Sequence, residues 1–93
     1  MVIGAVEIEL SIPGANSLKD KRMVLRSLKD RVRRSFNVSI AEVELNDQWQ
    51  SAVIGVVVVA NDRRFANQVL SKVVDFVEQS RGLVVDDYQL TIL

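Results

Sequence analysis

The stretch Ala52-Val53-Ile54-Gly55-Val56-Val57-Val58-Val59-Ala60 contains no polar side chain, and it constrains the fold more than any other part of the chain. Nine residues are far too few to cross a bilayer as a helix, which takes about 20. A short Val-rich run with the turn residues Asn46-Asp47-Gln48 before it and Asn61-Asp62 after it reads as a β-strand, beginning near Trp49. A strand with one wet face alternates apolar and polar residues; a strand without alternation has something packed on both faces. The chain is therefore expected to build a sheet around this strand and to cover that sheet on both sides.

The neighbouring segments supply the rest of the layers. Val2, Val6, Ile8, Leu10 and Ile12 recur on one parity with Glu7, Glu9 and Ser11 between them, which gives a first strand with one buried face. Pro13-Gly14 breaks it, and Ser17 followed three residues later by Asp20 reads as an N-cap with a capping-box-like first turn, so a helix begins at about Leu18. At about 100° per residue, Leu18, Val24, Leu25, Leu28, Val32 and Phe36 fall within roughly 120°, the width of a core-facing stripe. Asn37 ends that helix. Val38 and Ile40, then Val43 and Leu45, form a second strand whose parity shifts near Ala41 and Glu42, as at a bulge. Asn61-Asp62 caps a second helix with Phe65, Val69, Leu70, Val73, Phe76 and Val77 on its apolar side, and Arg81-Gly82 supplies a cationic last turn and a terminal glycine. The last strand, Leu83 to Leu93, places Tyr88, Leu90 and Ile92 at period two.

Strand, helix, strand, strand, helix, strand with short connections is the ferredoxin-like βαββαβ split sandwich, an α+β fold with a four-stranded antiparallel sheet and two helices on one face. Right-handed crossovers put the first and third strands at the centre and the second and fourth at the edges. A chain of 93 residues makes one such domain, spanning residues 1–93. Because the third strand is apolar on the face away from the helices too, a homodimer through the sheet is expected.

Composition excludes most chemistry. With no cysteine and no histidine, the chain lacks thiolate nucleophiles, disulfides, imidazole bases and the usual zinc, copper and iron–sulfur ligand sets. Asp86 and Asp87 are adjacent on a strand and are expected to point to opposite faces, so they make no acid/base pair, and Ser39 and Ser51 have no base to activate them. An RNA-recognition motif would need aromatic platforms on the central strands, where only Trp49 stands at the margin. Phosphate hydrolysis of the acylphosphatase type would need an arginine in the loop Pro13-Gly14-Ala15-Asn16, which has none. We therefore expect no catalytic residue, no metal and no cofactor. No basic segment precedes an apolar run at the N-terminus, so no signal peptide is read and a cytoplasmic location away from the membrane is expected.

Net charge is zero but lopsided. Between Ser17 and Ser35 eight basic residues (Lys19, Lys21, Arg22, Arg26, Lys29, Arg31, Arg33, Arg34) face two acids, Asp20 and Asp30, which leaves plus six there and minus six elsewhere. Arg22, Arg26, Lys29 and Arg33 follow at spacings of 4, 3 and 4, with Lys19 beside them, as one cationic ridge flanking the apolar stripe. Like charges one turn apart repel by a few tenths of a kcal/mol per pair, so the ridge gains the isolated helix nothing. An RNA backbone or an acidic protein surface would recover that cost, against the plain reading of a solvated face, and Lys19, Arg22, Arg26, Lys29 and Arg33 are the expected contact residues. Lys21 stands apart inside the apolar arc, where its stem can lie along the sheet edge with the ammonium near Asn16.

Two resemblances add to this reading. Leu10-Ser11-Ile12-Pro13-Gly14, then a helix, then Phe36-Asn37-Val38-Ser39-Ile40 looks like the strand, Pro-Gly turn, helix and Asn-Ile strand of ACT regulatory domains. That likeness implies, as the alternative, a homodimeric module binding a small molecule at Pro13, Gly14, Asn16 and Lys21. Ser17-Leu18-Lys19-Asp20-Lys21-Arg22, Phe36-Asn37-Val38-Ser39-Ile40-Ala41-Glu42-Val43 and Asp47-Gln48-Trp49-Gln50-Ser51-Ala52, with the Val-rich strand, resemble the YlxP-like family of small uncharacterised bacterial proteins. This resemblance covers nearly the whole chain. It implies the ferredoxin-like fold and genes set among those for translation factors and ribosome maturation, which makes ribosomal RNA or a ribonucleoprotein the expected partner of the basic ridge, and it brings no catalytic residue.

Overall fold

The computed structural model describes all of residues 1–93. Its elements are β1 (Val2–Ser11), α1 (Leu18–Ser35), β2 (Ser39–Glu44), β3 (Ser51–Ala60), α2 (Arg63–Glu78) and β4 (Val84–Ile92). The sheet order is β2-β3-β1-β4 with every neighbouring pair antiparallel, as the ferredoxin-like reading requires.

The helix-facing parity of the central strands forms the core. Val6, Ile8 and Leu10 of β1 and Ala52, Ile54, Val56 and Val58 of β3 are buried against Leu25, Leu28 and Val32 of α1 and Ala66, Leu70, Val73, Val74 and Val77 of α2. Gly4 lets α2 approach the sheet closely: a Cβ there would lie 2.9 Å from Leu70 Cδ1 and 3.2 Å from Ile92 Cδ1. The two helices meet where the Phe36 and Phe76 rings pack edge to face at 5.8 Å.

Both N-caps form at the expected residues. Ser17 Oγ accepts from Asp20 N–H, and an Asp62 carboxylate oxygen accepts from Phe65 N–H. Asp20 reaches back one residue further than a capping box does, accepting the Asn16 amide at 3.0 Å. The far end of α2 departs from the expectation. The helix stops at Glu78, because Ser80 N–H bonds Val77 O and Ser80 Oγ bonds Phe76 O, and Arg81-Gly82 falls in the turn leading to β4. Gly82, at φ 78, provides the left-handed residue of that turn.

The expected bulge in β2 lies at Val43, just beyond Ala41 and Glu42, where Glu42 pairs with Ile54 and Glu44 already with Val53. A side chain at Gly55 would meet Val43 Cγ1 at 3.0 Å, so the bulged valine lies across β3 on the face away from the helices. Trp49 and Leu45 fall outside the strands, and Leu45 adopts a left-handed φ of 63 in the β2–β3 turn. A second bulge, at Asp86 in β4, overrides the expected alternation of Asp86 and Asp87. Asp86 turns to accept from Ser11 Oγ, while Asp87 pairs with Glu9.

The face away from the helices is divided. Ile3, Ala5, Val57 and Val59 make one end of it apolar, whereas Glu7, Glu9, Asp87 and Gln89 make the other end acidic and polar. Val53 on this face is buried within the single chain, which leaves Val57 and Val59 as the exposed valines of β3. The continuous apolar run of the sequence therefore covers two environments, the core and a half-covered outer face.

Candidate nucleic-acid interface

Helix α1 buries one side against the sheet through Lys21, Leu25, Leu28 and Val32. The remaining circumference carries the charge, in two unequal flanks. On the flank next to β2 lie Lys19, Arg22, Arg26 and Arg33, all exposed, and the half-buried Lys29. At about 1.5 Å rise per residue, Lys19 to Arg33 spans roughly 21 Å of helix.

These side chains are largely unneutralised within the molecule. The structure contains two ion pairs, Lys21 with Glu42 at 2.7 Å and Arg33 with Asp30 at 3.8 Å. Lys19, Arg22, Arg26 and Lys29 have no carboxylate within 4 Å. Arg33 is additionally tied down, since its Nη2 donates to Ile40 O at 3.1 Å on the outer edge of β2. The ridge thus divides into four untied cations and one arginine that also closes the helix onto the sheet.

Arg31 occupies the opposite flank, toward α2. Its guanidinium lies 5.9 Å from the centre of the Phe76 ring and donates to Ser80 Oγ at 3.3 Å. Together with Met23, Val24, Ser27 and Arg81 it lines an open groove of about 580 Å³ between the helices. Sequence reasoning counted Arg31 among the basic residues without separating it; its wheel position beside Val24 is the signal that places it apart from the ridge.

Lys21 is held by partners beyond those its wheel position named. It is 1% exposed, and its ammonium donates to Leu45 O and Gln48 O at 2.7 Å each and pairs with Glu42 Oε2. Two of the three N–H donors of the group make hydrogen bonds to carbonyls, and the contact with Glu42 is an ion pair without hydrogen-bond geometry. The lysine is the sole partner of the buried Glu42 Oε2, which receives no other polar contact. Lys21 therefore bonds the β2–β3 turn, and Asn16 is not among its partners. It reaches that turn because Glu42 and the two carbonyls converge there, and a buried ammonium demands such partners.

The other residues of the small-molecule alternative stay in the turn after β1. Pro13, Gly14 and Asn16 are exposed, but the backbone around them is bonded internally: Gln50 Nε2 donates to Pro13 O at 3.3 Å and to Ala15 O at 2.9 Å. Gln50 thereby ties this loop to the β2–β3 turn, whose Leu45 and Gln48 carbonyls hold Lys21. No helix of the chain is long and apolar enough to cross a membrane.

Comparison with known proteins matches both the fold and the sequence. The de novo designed protein LFR1 1 with ferredoxin fold superposes with a TM-score of 0.57 at 16% identity, covering 100% of this chain and 84% of that one. The de novo designed protein Foldit4 does so at 0.53 and 11% identity, covering 98% and 96%. Such likenesses speak for architecture alone. In sequence, the chain is 39% identical over 77 residues to Uncharacterized protein YlxP of Bacillus subtilis (strain 168), over 83% of this chain and 84% of that protein. With that relative, and with the family model "Protein of unknown function (DUF503)" matching residues 3–90, the chain belongs to the DUF503 family.

Proposed function

We propose that this protein is a non-enzymatic, cytoplasmic accessory protein that binds the backbone of ribosomal RNA, free or in a ribonucleoprotein, through the β2-side flank of α1. The observation that carries the reading is the set Lys19, Arg22, Arg26 and Lys29, cations with no carboxylate within 4 Å on a helix of net charge plus six. Concentrating like charge on one helix costs stability locally, and an anionic partner recovers it by releasing counterions from its phosphates. The genomic setting implied by the YlxP-like resemblance favours ribosomal RNA among anionic polymers.

The test is fluorescence anisotropy of a labelled ribosomal RNA helix across a salt series. Each cation withdrawn from a phosphate should reduce the steepness of log K against log salt by roughly 0.7–0.9. Arg22→Ala with Arg26→Ala is therefore expected to weaken binding uniformly across RNA sequences and to flatten the slope by about 1.5. Unchanged affinity in that variant, or wild-type binding that does not respond to salt, refutes the reading.

A further inference from the structure

The two edges of this sheet are built differently. Backbone groups on an edge strand alternate between pointing in to the neighbour and out to solvent. Just past β4, Leu93 N–H donates inward to Ile3 O, which fixes the parity: Gln89, Thr91 and Leu93 bond to β1, and Tyr88, Leu90 and Ile92 direct their N–H and C=O outward. The same alternation across the sheet turns Ile40 and Glu42 of β2 outward.

The β2 edge is guarded. It is six residues long, its Ile40 carbonyl is occupied by Arg33, Glu42 and Glu44 put charge on it, and the Val43 bulge breaks its line. Short length, charge and bulges are the ordinary means of preventing edge-to-edge pairing. The β4 edge has such protection only at its start, where the Asp86 bulge lies and Asp87 Oδ1 accepts the outward Tyr88 amide at 2.8 Å. From Tyr88 to Ile92 the strand Tyr-Gln-Leu-Thr-Ile carries no charged side chain, no proline and no bulge. Leu90 and Ile92 amides and the Tyr88, Leu90 and Ile92 carbonyls have no strand beside them.

We propose that the open half of β4 pairs with the same segment of a second copy of this chain, antiparallel about a two-fold axis at Leu90, to give a continuous eight-stranded sheet. An antiparallel strand is self-complementary, and a two-fold contact closes at the dimer. This register sets outward residues against outward residues, Leu90 on Leu90 and Tyr88 on Ile92, as ladder bonding requires. Four bonds form without disturbing the Asp87 contact to Tyr88: each Leu90 N–H to the other copy's Leu90 carbonyl, and each Ile92 N–H to the other copy's Tyr88 carbonyl. Asp87 then faces Leu93, so no acidic side chain opposes another. Tyr88, 49% exposed in one chain, packs its ring against Leu90 and Ile92 of the other. The edge, rather than the divided outer face, is the contact: on that face Glu7, Glu9 and Asp87 leave only one end apolar.

The register makes the proposal testable at two exposed positions, Gln89 and Thr91, which sit across from one another between copies. Sedimentation velocity of the full chain from about 1 to 200 μM is expected to show a concentration-dependent dimer. The double variant Gln89→Lys/Thr91→Lys, which sets like charges opposite one another, is expected to be a folded monomer by circular dichroism and sedimentation. The charge-matched Gln89→Lys/Thr91→Glu is expected to restore the dimer. Amide exchange on the wild type provides a readout free of substitution: Leu90 and Ile92 N–H are protected at high concentration and lose at least tenfold in protection on dilution. A monomer at 200 μM, a Lys/Lys variant that stays dimeric, or Leu90 and Ile92 amides exchanging fast in the dimer overturns the proposal. Dissociation by Val57→Lys/Val59→Lys, with β4 amides unprotected throughout, overturns it in favour of the sheet face.

Discussion

Replacing Lys21 with methionine removes the ammonium while keeping most of the stem that packs in the core. The charge is removed from a position 1% exposed, where it holds Glu42 Oε2 and the carbonyls of Leu45 and Gln48, each at 2.7 Å. Breaking a buried pair by removing one partner costs about 3–5 kcal/mol, because the remaining charge is left unpaired. Glu42 retains 17% side-chain exposure, so its burial is incomplete and the lower end, about 3 kcal/mol, is expected. For a chain of 93 residues, total stability is roughly 5–14 kcal/mol, and the variant should remain folded. Its Tm should fall by roughly 12–24 °C, at about 4–8 °C per kcal/mol for a domain of this size. Urea unfolding followed by circular dichroism, with an unchanged m-value, gives the free energy directly. Adding Glu42→Leu to Lys21→Met removes the stranded carboxylate, while the two turn carbonyls belong to exposed residues and can turn to water. The double variant should therefore recover to within about 1.5 kcal/mol of wild type. A loss under about 1 kcal/mol for Lys21→Met, or a double variant as unstable as the two singles added, refutes the assignment of Lys21 as the anchor of the β2–β3 turn.

Three further outcomes follow from local geometry. Gly4→Val drives side-chain atoms into Leu70, Ile92 and Val58 and should cost about 2 kcal/mol by overpacking, whereas Gly14→Ala, with no atom within 4 Å of its Cβ, should be neutral within about 0.5 kcal/mol in the same unfolding assay. Ser17→Ala removes the acceptor of the Asp20 amide and should cost about 1 kcal/mol, with Ser17→Asp restoring it, as read by thermal melts. At Leu45, whose φ is 63, a β-branched valine should lose about 1 kcal/mol while glycine loses nothing, a contrast that chemical denaturation resolves.

Much of the architecture was legible because it depends on periodicity and punctuation. Val6, Ile8 and Leu10 face the core for the reason their spacing gave, and Ser17 and Asp62 cap helices because an extended residue with a short acceptor side chain satisfies the first free amides. The bulge in β2 was visible as a break in parity, one or two residues from where it lies. The cationic ridge was legible as a pattern, but not the separate engagement of its members: Arg33 ties to Ile40 O, and Arg31 leaves for Phe76. Both engagements depend on where a second element stands, and side chains this long reach several neighbours.

The sequence by itself determined the order of elements, their inward faces and the central place of residues 51–60, since these rest on local sterics and on which side of each element is apolar. Only the tertiary structure decided what Lys21 does, because its partners lie 24 and 27 residues away and are mainly backbone carbonyls, which carry no sequence signature. The same holds for the apolar run that frames the fold. Its valines are identical in composition, yet Val53 is buried and Val59 exposed on the same face, a difference made by the strands beside them. Burial is a property of neighbours, and neighbours are chosen by the fold.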